Sequence, residues 1–162
     1  MSEPHVRDFR PEDSAALGRL FYDTIHTVNP RDYSPAQIEA WAPEVPGPRR
    51  WIERARTRCI LVAEDESGVT GFAELRPADR FLDCLYVRHD MQRRGVGTAL
   101  VRELEARARA LRIVTLLVDV SLTARPFFER HGYALIAPRE VEVRGVMLAN
   151  FRMEKSLPAV AA

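Results

Sequence analysis

Hydrophobic and polar positions change period several times along the chain, and each change predicts an element. Residues 5–10 alternate as a short strand, and Pro11-Glu12-Asp13 then opens an amphipathic helix carrying Ala16, Leu17, Leu20 and Phe21. Between Asn29 and Arg50, prolines at 30, 35, 43, 46 and 48 leave room for one short helix over 35–41 and otherwise predict loop, which can shape a pocket. Two β-like runs, 59–64 and 69–75, flank Asp65-Glu66-Ser67-Gly68 and are expected to pair as a hairpin.

A third run, 81–87, ends at Arg88-His89-Asp90 and feeds Gln92-Arg93-Arg94-Gly95-Val96-Gly97-Thr98. Residues 99–112 then place Leu100, Leu104, Ala108 and Leu111 on one helical face and Arg102, Glu103, Arg107 and Arg109 largely on the other. The unit is strand, glycine loop, helix. A buried strand over 113–120 and a short helix over 123–130 follow, the helix stopped at His131-Gly132-Tyr133, before strands at 133–136, 140–143 and 147–153. No repeat, low-complexity stretch or linker interrupts the pattern. A chain of 162 residues suits one domain, expected over 1–156 with a tail at 157–162.

Composition removes several function classes. With 24 Lys+Arg against 23 Asp+Glu, the formal charge of +1 offers a polyanion no global attraction, so neither nucleic acid nor a membrane surface is an expected partner. No apolar run approaches the roughly 20 residues that span a bilayer, and the charged start lacks a signal peptide's apolar stretch, so a soluble cytoplasmic protein is expected. Cys59 and Cys84 are single and far apart, which predicts small buried residues and no metal or redox pair. His5, His26, His89 and His131 show no metal-ligand spacing, and no serine stands in Gly-x-Ser-x-Gly, so zinc and serine hydrolases are poor readings.

Charge matters locally. Residues 88–112 hold seven arginines against Asp90, Glu103 and Glu105, which by itself equally describes a solvated helix face. Gly95 and Gly97 add something: they let backbone approach a ligand where a helix N-terminus offers unpaired N–H groups, a setting for phosphate or pyrophosphate. A tight turn without ligand is the alternative. No lysine lies near, which removes a P-loop, and Leu100 stands where a dinucleotide fingerprint needs its third glycine, although Asp119 lies at the distance of a ribose-binding acid.

Gln92-Arg93-Arg94-Gly95-Val96-Gly97, preceded by Leu85-Tyr86-Val87, resembles the acetyl-CoA loop of the GNAT N-acetyltransferase superfamily. Ala124-Arg125-Pro126-Phe127-Phe128-Glu129-Arg130-His131-Gly132-Tyr133 resembles that family's second signature at the right distance downstream. Tyr33-Ser34-Pro35, Ala40-Trp41, the run from Val118 to Phe128, Arg144-Gly145 and Asn150-Phe151 are similar to the bacterial YafP-like branch.

The resemblance implies an α/β (α+β) GNAT fold: a central mixed, mostly antiparallel sheet of six to seven strands with a splayed central pair, flanked by helices. It implies that backbone groups of Leu85 and Val87, with Tyr86 between them, pair with the pantetheine arm. N–H groups from Gln92 through Thr98, Val96 included, would hold the pyrophosphate, with Arg93 and Arg94 adding charge-assisted contacts. Ser121, Ala124, Phe127 and Phe128 would lie beside the far end of the cofactor, core packing being as good a reading for both phenylalanines.

The implied activity is acetyl-CoA-dependent acetylation of a small amine or hydroxylamine by direct transfer in a ternary complex, without metal. An ammonium must lose its proton before attack, and a carboxylate near the splayed strands is the expected base. Asp83 is the first candidate: period-two alternation places it on the face of Leu85 and Val87, with Cys84 pointing away. An acid within an apolar strand is costly unless paired or functional, pairing with Arg76 or Arg80 being the structural alternative. Glu74 is second and Asp119 third. Many relatives carry a tyrosine acid where Phe128 stands, and a phenyl ring cannot donate a proton; Ser121 and Tyr86 are possible substitutes. Tyr22, His26, Tyr33 and Trp41 are expected at the acceptor end, packing between helices being the alternative. A non-catalytic acyl-CoA-binding module, acetylation of a protein amine, and a homodimer sharing a late strand around Met147 and Leu148 complete the expectations.

Overall fold

In the computed structural model, which describes residues 3–159, the chain opens with β1 (His5–Asp8), makes one turn over Pro11–Asp13 and enters α1 (Ser14–Thr27). Leu17, Leu20, Phe21 and Ile25 recur at helical spacing and are all buried. α2 (Pro35–Trp41) starts at a reciprocal cap: the Gln37 N–H donates to the Ser34 hydroxyl at 3.2 Å, while the Ser34 N–H donates to the Gln37 side chain at 2.9 Å. Residues 48–50, expected as loop, instead open a helix, α3 (Pro48–Arg54), whose Trp51 is wholly buried. Pro48 occupies the first helical position, where a missing N–H costs nothing, so clustered prolines marked a helix start as well as a loop.

β2 (Cys59–Asp65) and β3 (Gly68–Arg76) form the expected hairpin. β4 (Phe81–Val87), α4 (Val96–Ala110), β5 (Thr115–Ser121) and α5 (Arg125–Arg130) follow in the expected order. The two short strands expected next are one, β6 (Ala134–Val143), continuous despite Pro138 because it lies at the sheet edge, where a missing donor is tolerated. It pairs with β7 (Val146–Ser156).

The seven strands form one sheet in the order β1-β2-β3-β4-β5-β7-β6, antiparallel except where β4 meets β5. That parallel pair holds only at Phe81 with Leu117 and Leu82 with Val118, after which the strands part. β4 also carries a bulge: Leu82 opposes Leu75 and Cys84 opposes Glu74, so Asp83 has no partner on β3. Alternate residues of the central strands feed two cores. Leu61, Ala73 and Leu75 pack beneath Leu100 and Leu104 of α4, while Ile60, Val62 and Phe72 pack beneath α1 and α3.

Leu157, expected in the tail, is buried in the α4 core and donates its N–H to the Val114 carbonyl at 2.8 Å; residues 160–162 lie outside the described residues. Met147 is exposed, whereas Leu148 is buried. Cys59 and Cys84 are free and partly buried. Among the described residues, no helix is long and apolar enough to cross a membrane.

Candidate active site

The parting of β4 from β5 opens a cleft of about 890 Å³ between the N-terminus of α4, α5 and the α1–α2 segment. Just past β4, the Arg88 N–H is donated to the Thr70 carbonyl of β3 at 2.8 Å, so by alternation Leu85 and Val87 direct their backbone groups across the gap. The Val87 carbonyl accepts from the Gln92 side chain at 2.7 Å and from the Thr24 hydroxyl at 3.2 Å, which ties the strand end to both the loop and α1.

Gly95 caps α4 at φ +82°, a left-handed conformation suited to glycine, and starts the helix with free N–H groups at Val96, Gly97 and Thr98. Gln92, Arg93, Gly95, Gly97 and Thr98 line the cleft, as do Ser121, Ala124, Phe127 and Phe128. Val96 is 2% exposed and absent from the lining, its side chain filling the α4 core. The exposed Arg94 side chain lies outside the lining. Phe128 lines the cleft and packs edge-on to Phe127 and Tyr133, at 5.3 and 5.2 Å between ring centres.

Asp83 lines the cleft, but the alternation argument for its direction fails. The bulge turns Asp83 to the side of Glu74 and Cys84, and ligand atoms of all three lie within 4.8 Å of one another. Two guanidinium groups bind the carboxylates together. Arg54 reaches Glu74 at 2.7 Å and Asp83 at 2.8 Å, while Arg58 contacts Glu74 at 2.9 Å and Asp83 as well. Arg76 stands 3.7 Å from Asp83 and is a lesser partner than either; Arg80 is not among its ion-pair partners. These bonds fall on Asp83 Oδ2, and no hydrogen bond reaches its Oδ1 among the described residues. Glu74 is fully buried and absent from the cleft lining.

Burial, reinforced by the neighbouring Glu74 and Asp83, pushes the Cys84 thiol well up, so it stays protonated. Burial likewise pushes the Tyr86 phenol up. Asp119 lines the cleft in ion pairs with Arg152, at 2.8 Å, and Arg139; burial raises its carboxyl, but the two arginines outweigh this and hold it below the ordinary value.

Tyr33 and Trp41 line the cleft in an edge contact at 5.3 Å, with the Tyr33 hydroxyl donating to the Ala149 carbonyl at 2.7 Å. Tyr22 and His26 do not line the cleft: they stack on each other at 4.0 Å, and the His26 ring binds the Ala42 carbonyl at 2.7 Å, fastening α1 to the end of α2. Sequence reasoning missed Asn29, His131 and Asn150 in the lining, and Arg54 and Arg58 behind it. The arginines left one signal, their spacing of four; His131 and Asn150 stood inside the resembling segments without a role of their own, and Asn29 left no signal.

A family model described as an acetyltransferase (GNAT) domain matches residues 29–156. The protein described as uncharacterized N-acetyltransferase YafP of Escherichia coli K12 is 33% identical over 153 residues, covering 94% of this chain and 96% of that protein. A GCN5-related N-acetyltransferase of Rhodopseudomonas palustris has a similar structure, with TM-score 0.90 at 37% identity, covering 97% of this chain and 98% of that one. The PaiA N-acetyltransferase of Thermoplasma acidophilum, solved with coenzyme A, shares the fold at TM-score 0.78 and 20% identity, covering 96% of this chain and 99% of that one.

Proposed function

Because the chain belongs to the GNAT acetyltransferase family, we propose that it transfers the acetyl group of acetyl-CoA directly to the nitrogen of a small amine or hydroxylamine, both substrates bound together. The observation that carries this reading is the single cleft that joins the glycine-capped start of α4 to the Asp83 carboxylate along the open edge of β4. The residues fit the cofactor. Free N–H groups at the first turn of α4 suit a pyrophosphate, and the edge of Leu85 and Val87 suits the amides of a pantetheine arm.

Acetyl-CoA supplies the thioester. Asp83 Oδ1, free of the arginines, takes the proton that the substrate ammonium must shed, a step that general-base catalysis makes about 10²- to 10⁴-fold faster. Arg54 and Arg58 fix that carboxylate from behind, and buried Glu74 holds the two guanidinium groups. The neutral nitrogen then attacks the thioester carbon; the new C–N bond replaces C–S, the nitrogen sheds its second proton to become the amide, and sulfur leaves as a thiolate that takes up one proton to become the free thiol. Phe128 has no proton to give it, and Tyr86 is a poor donor. Ser121 accepts from the Ala124 N–H at 3.0 Å and keeps its own hydroxyl proton available beside the cleft. A protonated Cys84 supports transfer without a covalent acyl-enzyme.

The test is calorimetric binding of acetyl-CoA to wild type and to a Gly95→Glu, Gly97→Glu double variant, both shown folded by circular dichroism, followed by thiol release with a panel of amines. Stoichiometric binding by wild type alone and amine-dependent release are expected. Binding without release would instead support an acyl-CoA-binding module, and release only with peptide amines a protein acetyltransferase.

A further inference from the structure

His131 lies just beyond α5 and stacks on the Phe127 ring at 4.2 Å. Its Nδ1 stands 2.8 Å from the Phe127 carbonyl oxygen, and its Nε2 stands 3.0 Å from the Thr98 hydroxyl in the first turn of α4. Both His131 and Thr98 line the cleft. A carbonyl can only accept, so Nδ1 must carry a proton. In the neutral ring Nε2 then has none, and it can only accept from Thr98. The single hydroxyl proton of Thr98 is thereby committed to His131, leaving that oxygen only lone pairs to show an anion.

A phosphate oxygen arriving at the first turn of α4 needs donors, not lone pairs. Adding a proton at Nε2 reverses the bond: the imidazolium donates to Thr98 Oγ1, and the Thr98 hydroxyl proton becomes free to donate to the anion. We propose that cofactor binding is coupled to protonation of His131, which takes up a proton as a pyrophosphate oxygen docks against Thr98. The inference rests on the acetyl-CoA reading above and adds a proton-linked contact to it.

The charged groups around this ring come from three elements. Arg102, Glu105 and Arg109 of α4, Arg130 of α5 and Lys155 of β7 share a surface groove with His131. Lys155 engages both oxygens of Glu105, at 2.6 and 3.0 Å, and no carboxylate is hydrogen-bonded to His131 among the described residues. The anion that would pair with an imidazolium here therefore has to come from the ligand.

Dephospho-CoA is the appropriate probe, because it lacks the phosphate monoester, whose own second ionisation near pH 6 would take up protons independently of the protein. Calorimetry in two buffers of different ionisation enthalpy is expected to show proton uptake by wild type. Affinity should be about tenfold tighter near pH 6 than near pH 8, the change that one pKa unit of coupling represents. His131→Gln and Thr98→Val should each lose both the uptake and the pH dependence, and the His131 ring resonances in wild type should shift on binding. A flat wild-type profile, or an unchanged slope in both variants, overturns the coupling while leaving the cofactor site standing. No binding at all by folded wild type overturns both.

Discussion

The ring of Phe127 lies against the backbone of Gly97, where an added Cβ would stand 3.1 Å from two ring carbons. The first turn of α4 and the start of α5 therefore touch across the mouth of the cleft with no room for a side chain. Gly95 differs: it has open space around it but a φ of +82°. The two glycines of the loop are needed for separate reasons, one for packing and one for backbone conformation.

Gly97→Ala should displace the Phe127 ring, lower stability by about 1–3 kcal/mol as overpacking does, and weaken coenzyme A binding. Gly95→Ala should cost about 1–2 kcal/mol through its left-handed backbone alone. Urea unfolding with and without coenzyme A separates the two effects. Equal affinities for wild type and Gly97→Ala would remove the loop from the cofactor site.

Asp83 and Glu74 share two arginines but should respond differently to neutralisation. Asp83→Asn is expected to fold and to lose about 10²- to 10⁴-fold in kcat, the contribution of a general base. Glu74→Gln leaves Arg54 and Arg58 to share the single Asp83 carboxylate beside a buried site and should cost about 3–5 kcal/mol of stability. Steady-state kinetics and denaturant midpoints on both variants decide the matter; full turnover by Asp83→Asn would sink the base assignment.

Cys84→Ala should retain acetyl transfer, because a thiol pushed well up by burial and two carboxylates is not a nucleophile near neutral pH. Alkylation of Cys84 by iodoacetamide should be slow in the native protein and fast in urea. Loss of turnover in Cys84→Ala with Asp83→Asn unaffected would reverse the mechanism.

Arg7 ties the first turn to the sheet, bonding Asp13 at 2.8 Å and Glu64 at 2.9 Å, and it holds the Asp13 carboxyl below the ordinary 3.8. A carboxyl lowered in the folded state stabilises above its unfolded value, and that contribution is lost as pH falls through the folded value. Asp119 acts in the same direction. Wild-type urea midpoints should thus fall below about pH 4, and Asp13→Asn should be less stable at neutral pH with a flatter acid limb. Parallel limbs would mean that the Arg7 pair contributes nothing.

Local sequence specified the β2–β3 hairpin, the 81–87 strand, the glycine loop, α4 and the short helix stopped before Gly132. Each depends on neighbours only a few positions away. Apolar spacing sets the buried face, and a glycine's backbone freedom needs no distant partner. The tertiary structure alone decided how the side chains around Asp83 are arranged. Period two failed at Asp83 because a bulge depends on the register of two paired strands, which no run of residues encodes. Arg54 and Arg58 meet Glu74 and Asp83 only once α3 has docked on the sheet, and clustered prolines had hidden that helix. Tyr22 and His26 turned to each other instead of the cleft, and His131 met Thr98 across two helices. Periodicity is a property of adjacent residues, whereas ion pairs, bulges and shared protons arise where the folded chain brings distant segments within a few ångströms.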